Sequence, residues 1–96
     1  MERETIFKLL AEHKAELECF GVRSLSLFGS FVRNEATPTS DVDILVEFSR
    51  PVGYFGYMDL KEYLEKLLQR RVDLATPDAL KRQLRDRILS EAVRAA

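Results

Sequence analysis

Asp41 and Asp43 stand two residues apart in the run SDVDILVEF. In a strand, side chains alternate between faces, so both carboxylates would project from one face with Cα atoms about 6.5–7 Å apart. One or two metal ions can bridge such a span. Magnesium and similar hard divalent cations prefer oxygen ligands and bind between a few carboxylates and substrate phosphates. Alone, the pair is weak evidence, because solvated strand ends carry the same pattern. Gly29-Ser30 lies between an apolar run and a predicted short helix. A missing Cβ there lets backbone amides approach an anion, and the Ser30 hydroxyl adds a donor near a positive helix terminus. A phosphate cradle is built this way, and so is an ordinary strand-to-helix turn with Ser30 as N-cap. Arg33 either turns its guanidinium toward the same region or pairs with Glu35 or Glu47. Asp73 sits in RVDLA between Val72 and Leu74. Neighbouring strands are about 4.8 Å apart, so if the two strands are adjacent all three carboxylates can converge. Clustered anions repel; without a cation at least one acquires a raised pKa, which a divalent ion would reverse. The competing role for Asp73 is a strand-edge acid paired with Arg70 or Arg71.

The elements that must position these groups follow from periodicity. Residues 5–20 place Ile6, Leu9, Leu10, Leu17 and Phe20 at helical spacing, with Gly21 as the stop. VRSLSLFGS alternates through Leu25 and Leu27 before Gly29, which predicts a strand ending in a tight turn, and FVRNE predicts a short helix. DVDILVEF puts Val42, Ile44, Val46 and Phe48 on one face and Asp41, Asp43, Leu45 and Glu47 on the other. Pro51, Gly53 and Gly56 mark a loop, and Met58–Leu68 carries Leu60, Leu64, Leu67 and Leu68 in helical register. RVDLA is a short strand, and Thr76-Pro77 opens a last helix with a buried stripe at Leu80, Leu84 and Ile88. The order describes an α/β domain in which helices cover a small sheet. Pattern alone leaves open whether that sheet is parallel or mixed.

Length and composition narrow the function. With 96 residues, 46% hydrophobic and 32% charged, the chain fits one domain with one core and one site. Its single cysteine, Cys19, allows no internal disulfide and no cysteine-rich zinc site, which predicts a reducing, cytoplasmic location. No 18-residue apolar run is present, and the opening MERETIFKLL carries acids where a signal peptide carries bases, so neither a membrane span nor export is expected. Fifteen Lys and Arg against sixteen Asp and Glu leave a net charge of −1, and no general pull toward a nucleic-acid backbone. Basic residues gather after Gln69, where they could dock an acidic partner face or stay solvated.

The run from Leu27 to Phe48, LFGSFVRNEATPTSDVDILVEF, resembles the signature of the DNA polymerase β-like nucleotidyltransferase superfamily: Gly-Ser, ten residues, then D-x-D. More closely, it is similar to the minimal nucleotidyltransferases, the MNT or MntA-like group, and the similarity continues through Asp73 to most of the chain. The resemblance implies a small mixed sheet flanked by helices, with residues 1–96 forming a single minimal domain. It also implies metal-dependent transfer of AMP from ATP to an acceptor hydroxyl, with release of pyrophosphate. By position, Gly29 and Ser30 would hold the β and γ phosphates, with Arg33 beside them, and Asp41 and Asp43 would bind Mg2+. Asp73 would complete the second metal site and help activate the acceptor oxygen. Two ions about 3.5–4 Å apart can stabilise both the entering and the leaving oxygen of an in-line displacement. MNT proteins resembling this chain typically pair with a HEPN-domain RNase toxin, which implies a complex in which this chain is the antitoxin and adenylylates a tyrosine of the toxin.

Two rivals follow from the same residues. One is a non-catalytic antitoxin that neutralises its toxin by binding. The other is a small-molecule nucleotidyltransferase of the aminoglycoside-modifying kind, completed by a partner subunit. Tyr54, Phe55 and Tyr57 form either a lid or adenine platform, or a loop packed on the core. His13 reads as a partly exposed helix residue and Cys19 as a half-buried one.

Overall fold

The computed structural model describes residues 3–37 and 39–96; Pro38, within the signature run, lies outside them. Alternation decides the sheet. β1 (Val22–Phe28) and β2 (Val42–Phe48) pair antiparallel, with Leu25 opposite Val46 and Leu27 opposite Ile44. β3 (Val72–Ala75) pairs parallel with β2, setting Val42 opposite Val72 and Ile44 opposite Leu74. These residues form the apolar face. A two-residue β4 (Val93–Arg94) adds antiparallel to the other edge of β1, giving the order β3-β2-β1-β4. The sheet is therefore mixed.

Helices α1 (Arg3–Glu12), α2 (Lys14–Cys19) and α3 (Gly53–Leu68) bury their leucines with the apolar face of the sheet in one core. Ile6, Leu10, Leu17, Leu60, Leu64 and Leu68 are at most 1% exposed, as are Leu25, Leu27, Val42, Ile44 and Val46. Truncating any one of these leucines or isoleucines to alanine would cost about 2–5 kcal/mol. The opposite face carries Ser24, Ser26 and Phe28 from β1 against Glu47, Leu45 and Asp43 from β2. The core thus holds rigid the strands whose other face bears the acids.

Several expected elements differ. The helix expected over residues 5–20 is broken at His13, whose backbone sits at φ −105°, ψ 22°. Its Nδ1 donates to the Leu9 carbonyl at 2.8 Å, the same acceptor its backbone N–H reaches at 3.2 Å, so the side chain competes with the helical ladder. Cys19 is exposed, not half-buried. The segment after Ser30 forms only a three-residue 3-10 turn, Gly29–Phe31, and reverses at Asn34, whose φ is +58°. α3 begins at Gly53, five residues before the expected Met58, so the glycine-containing loop is helical. Gly56 fits there because a Cβ would lie 2.8 Å from Val52 Cβ. The last helix begins as a 3-10 turn, Pro77–Ala79, and continues as α4 (Arg82–Glu91), none of whose residues is buried. In the stripe expected to be buried, Leu84 is 45% exposed and Leu80 and Ile88 are only half-buried. α4 does not belong to the core.

Candidate active site

The parallel register of β2 and β3 sets Asp43 directly opposite Asp73. Each is the second residue of its strand, and each follows a buried valine, Val42 or Val72, that faces the helices. Alternation then turns both carboxylates to the open face. Asp41 lies one residue before β2 and is engaged by Arg71, whose Nε is 3.3 Å from Asp41 Oδ1. Asp43 and Asp73 stand side by side, while Asp41 pairs with Arg71 and is still near enough for its charge to act on Asp43. The Arg71 offered as an alternative partner for Asp73 pairs with Asp41.

This crowding has an electrostatic signature. Burial pushes the Asp43 carboxyl up from 3.8 to about 6, and the charges of Asp73 and then Asp41 push it in the same direction, while Arg33 opposes them. Sharing a proton with Asp73 would favour the protonated form of Asp43 further. Two carboxylates this close cannot both ionise easily without a cation.

Gly29 completes the wall of the site. Phe28, at the end of β1, is opposite Asp43, so the next residue falls beside the Asp43 side chain. An added Cβ at Gly29 would lie 2.1 Å from Asp43 Oδ2, and the backbone has φ +74°, so only glycine fits. Ser30 follows in the same turn, which is closed by Val32 and Arg33 N–H groups donating to the Gly29 carbonyl at 3.1 and 3.2 Å. Arg3 Nη1 ties the turn to α1 through the Val32 carbonyl at 2.9 Å. Arg33 pairs with Glu35 at 3.3 Å, as one expectation had it, but its second partner is Glu91 of α4 at 2.7 Å, not Glu47. The hydrogen bond to Glu35, with the charge of Glu91, holds the Arg33 guanidinium proton more firmly than usual. The same Glu91 Oε1 accepts the Gly29 N–H at 2.8 Å.

Three supporting residues were not assigned their present roles by the sequence. Glu91 stands far from the signature, in an ordinary charged stretch. Arg70 lies over the Phe31 ring, 5.1 Å from its centroid, and donates to the Ser40 carbonyl at 3.0 Å, linking the Gly29 turn to the residue before Asp41. Tyr57 belongs to α3, not to a loop, and its hydroxyl donates to the Leu74 carbonyl next to Asp73. Burial and the Asp73 charge raise its pKa. Tyr54 and Phe55 are 70% and 82% exposed, so these two do not pack on the core.

No three His, Cys, Asp or Glu side chains among the described residues form a ready cage for a metal ion. Magnesium does not require one, since it takes one or two carboxylates and completes its shell with waters and substrate phosphates. The adjacent Asp43 and Asp73 offer hard oxygen donors whose mutual repulsion a cation would relieve. The donor set fits such an ion.

The profile of the family described as nucleotidyltransferase domain matches residues 7–95. The chain belongs to this family of nucleotidyltransferases. Protein adenylyltransferase MntA of Thermococcus cleftensis is 47% identical over 91 residues, covering 94% of this chain and 92% of the relative. A solved structure described as a minimal nucleotidyltransferase superposes with a TM-score of 0.84 at 33% identity, over 97% of this chain and 95% of that one. A chain from the complex of tri-AMPylated Shewanella oneidensis HEPN toxin with MNT antitoxin shares the fold, with a TM-score of 0.60 at 20% identity over 97% of this chain and 67% of that one. In this nucleotidyltransferase the ten residues between Gly-Ser and D-x-D span the connection between antiparallel neighbours, which returns Asp43 to the side of Gly29. No helix among the described residues is long and apolar enough to cross a membrane.

Proposed function

We propose that this enzyme transfers AMP from ATP to a hydroxyl, a tyrosine, of a HEPN-domain toxin with which it forms a complex, and that it thereby serves as the toxin's antitoxin. The observation that carries the reading is the packing of Gly29 directly against Asp43 beside Asp73, in a chain 47% identical to a protein adenylyltransferase. Residues 1–96 act as a single minimal domain, in the cytoplasm. The amide of Gly29, the hydroxyl of Ser30 and the guanidinium of Arg33 bind the β and γ phosphates. Asp43 and Asp73, with Asp41 at the rim, hold Mg2+. A divalent ion bound there neutralises triphosphate charge and lowers the pKa of the acceptor hydroxyl.

The acceptor oxygen forms a bond to the α phosphorus as the bond from that phosphorus to the bridging oxygen of the β phosphate breaks. Pyrophosphate leaves with the bonding pair, and the hydroxyl proton passes to Asp73. The chain supplies no covalent nucleophile. Its contribution is positioning and fixed charge.

The test is the intact mass of the HEPN-domain partner co-expressed with the wild-type chain or with Asp41→Asn or Asp43→Asn. The expected result is a gain in steps of one AMP that both variants abolish. A partner that is neutralised yet unmodified would overturn the catalytic reading in favour of inhibition by binding, and label from ATP entering a small molecule would redirect it to another acceptor.

A further inference from the structure

α4 is the least anchored helix of the fold. It buries no residue, and the residues flanking it, Lys81 and Ala92, both have extended backbone, with ψ 137° and 136°. After it the chain is fixed again by β4 on β1 and by backbone hydrogen bonds between Leu25 and Ala95 at 2.8 Å and Ala96 at 3.0 Å. Between these joints one side chain ties the helix end to the catalytic face. Glu91, with only 17% of its side chain exposed, uses a single oxygen to accept both the Gly29 N–H at 2.8 Å and Arg33 Nη1 at 2.7 Å. An amide and a guanidinium sharing one anionic oxygen form an anion site, and here the anion belongs to the protein.

We infer that Glu91 is an internal stand-in for a phosphate oxygen, and that α4 is a latch which a triphosphate must displace to reach Gly29 and Arg33. The inference rests on the nucleotide-binding role proposed for those two residues. Both donors are satisfied by Glu91, and an incoming phosphate cannot take them while the carboxylate stays. Nor can the two anions share the site, since like charges at this distance repel. The contacts α4 surrenders on leaving are few, because none of its side chains is in the core. Segments held by few buried contacts open at small free-energy cost. The latch lowers apparent triphosphate affinity by the fraction of time it is open. It also keeps the Gly29 amide and Arg33 paired when no nucleotide is present, so the positively charged corner is not left to other anions.

The test uses the full chain, its Glu91→Gln variant and, as a second variant, Glu91→Ala, with inorganic tripolyphosphate as the probe in magnesium buffer. Calorimetry gives the affinity, and hydrogen exchange of the 82–91 amides reports whether α4 is docked. The expected result is binding about tenfold tighter in both variants. In the wild type, tripolyphosphate should speed exchange in α4; in the variants exchange should already be fast without it. Equal or weaker binding by the variants would overturn the latch and make Glu91 a positioning residue for Arg33. Tighter binding with α4 exchange unaltered by probe or substitution would also overturn it, because only a repelling charge would have been removed. If neither the wild type nor the variants bind tripolyphosphate, the nucleotide-binding reading itself fails and takes the latch with it.

Discussion

Replacing Asp43 by asparagine should make the metal-free protein more stable at neutral pH while removing its activity. Folding places the Asp43 carboxyl in a half-buried position beside Asp73 and lifts it from 3.8 to about 6. At about 1.36 kcal/mol per pH unit, that gap caps the electrostatic cost of the ionised form at about 3 kcal/mol. The open face of the sheet is reached by solvent, and screening reduces the figure to about 1–2 kcal/mol. The sign follows from linkage. Between the unfolded and folded values the native state holds the proton and the unfolded state has lost it, so stability falls as pH rises from about 4 to about 6 and is flat above about 7. The asparagine of Asp43→Asn has the same shape without the charge and lacks this slope.

Thermal unfolding of both proteins in chelator at about pH 4 and about pH 7.5 measures the difference directly. The Tm of Asp43→Asn should exceed that of the wild type by about 4–16 °C at neutral pH, from about 4–8 °C per kcal/mol for a domain of this size, and the gap should shrink toward zero in acid. Millimolar magnesium should raise the wild-type Tm and leave that of the variant nearly unchanged. An Asp43→Asn protein no more stable at neutral pH, or a gap of the same size at both pH values, would refute the proposed cost of ionising Asp43 in its half-buried place beside Asp73.

Gly29→Ala should be damaging in a different way. The positive φ costs an alanine about 1–2 kcal/mol, and the new Cβ would displace the Asp43 carboxylate, so AMP transfer should fall far more than the modest loss of Tm indicates, as paired activity and melting measurements would show. Tyr57→Phe removes the donor to the Leu74 carbonyl at the edge of β3 and should cost about 1 kcal/mol in urea unfolding, with faster hydrogen exchange at Leu74 and Ala75 than at Leu25.

The legible parts of this molecule were those written in local pattern. Alternation in 42–48 and 72–75 reports which face is buried, and with Val42 and Val72 inside, the orientation of Asp43 and Asp73 follows. What local pattern cannot carry is the choice of distant partners. Arg71 and Asp41 are brought together by the turn from α3 into β3, where the Val42 N–H donates to the Arg71 carbonyl at 2.9 Å. Glu91 meets Gly29 across a separation of 62 residues. β4 is too short for periodicity to register, and it exists because β1 offers a free edge. The leucines and isoleucine of α4 have helical spacing, yet no layer covers them, so amphipathic pattern alone overstated their burial. The break at His13 and the helical Gly56 are the opposite case, in which a side-chain bond and a close packing contact overrode the local preference.

The proposed nucleotidyl transfer depends on Asp43 and Asp73 acting as one centre of charge. The initial rate at which label from α-phosphate-labelled ATP enters the purified HEPN-domain partner, compared between the wild type and Asp73→Asn, tests this most directly. A folded Asp73→Asn protein should be slower by at least about a hundredfold, the scale expected when an electrostatic contribution of several kcal/mol is lost from the transition state. A rate within about twofold of the wild type would contradict it, since ΔΔG‡ would then be only about 0.4 kcal/mol.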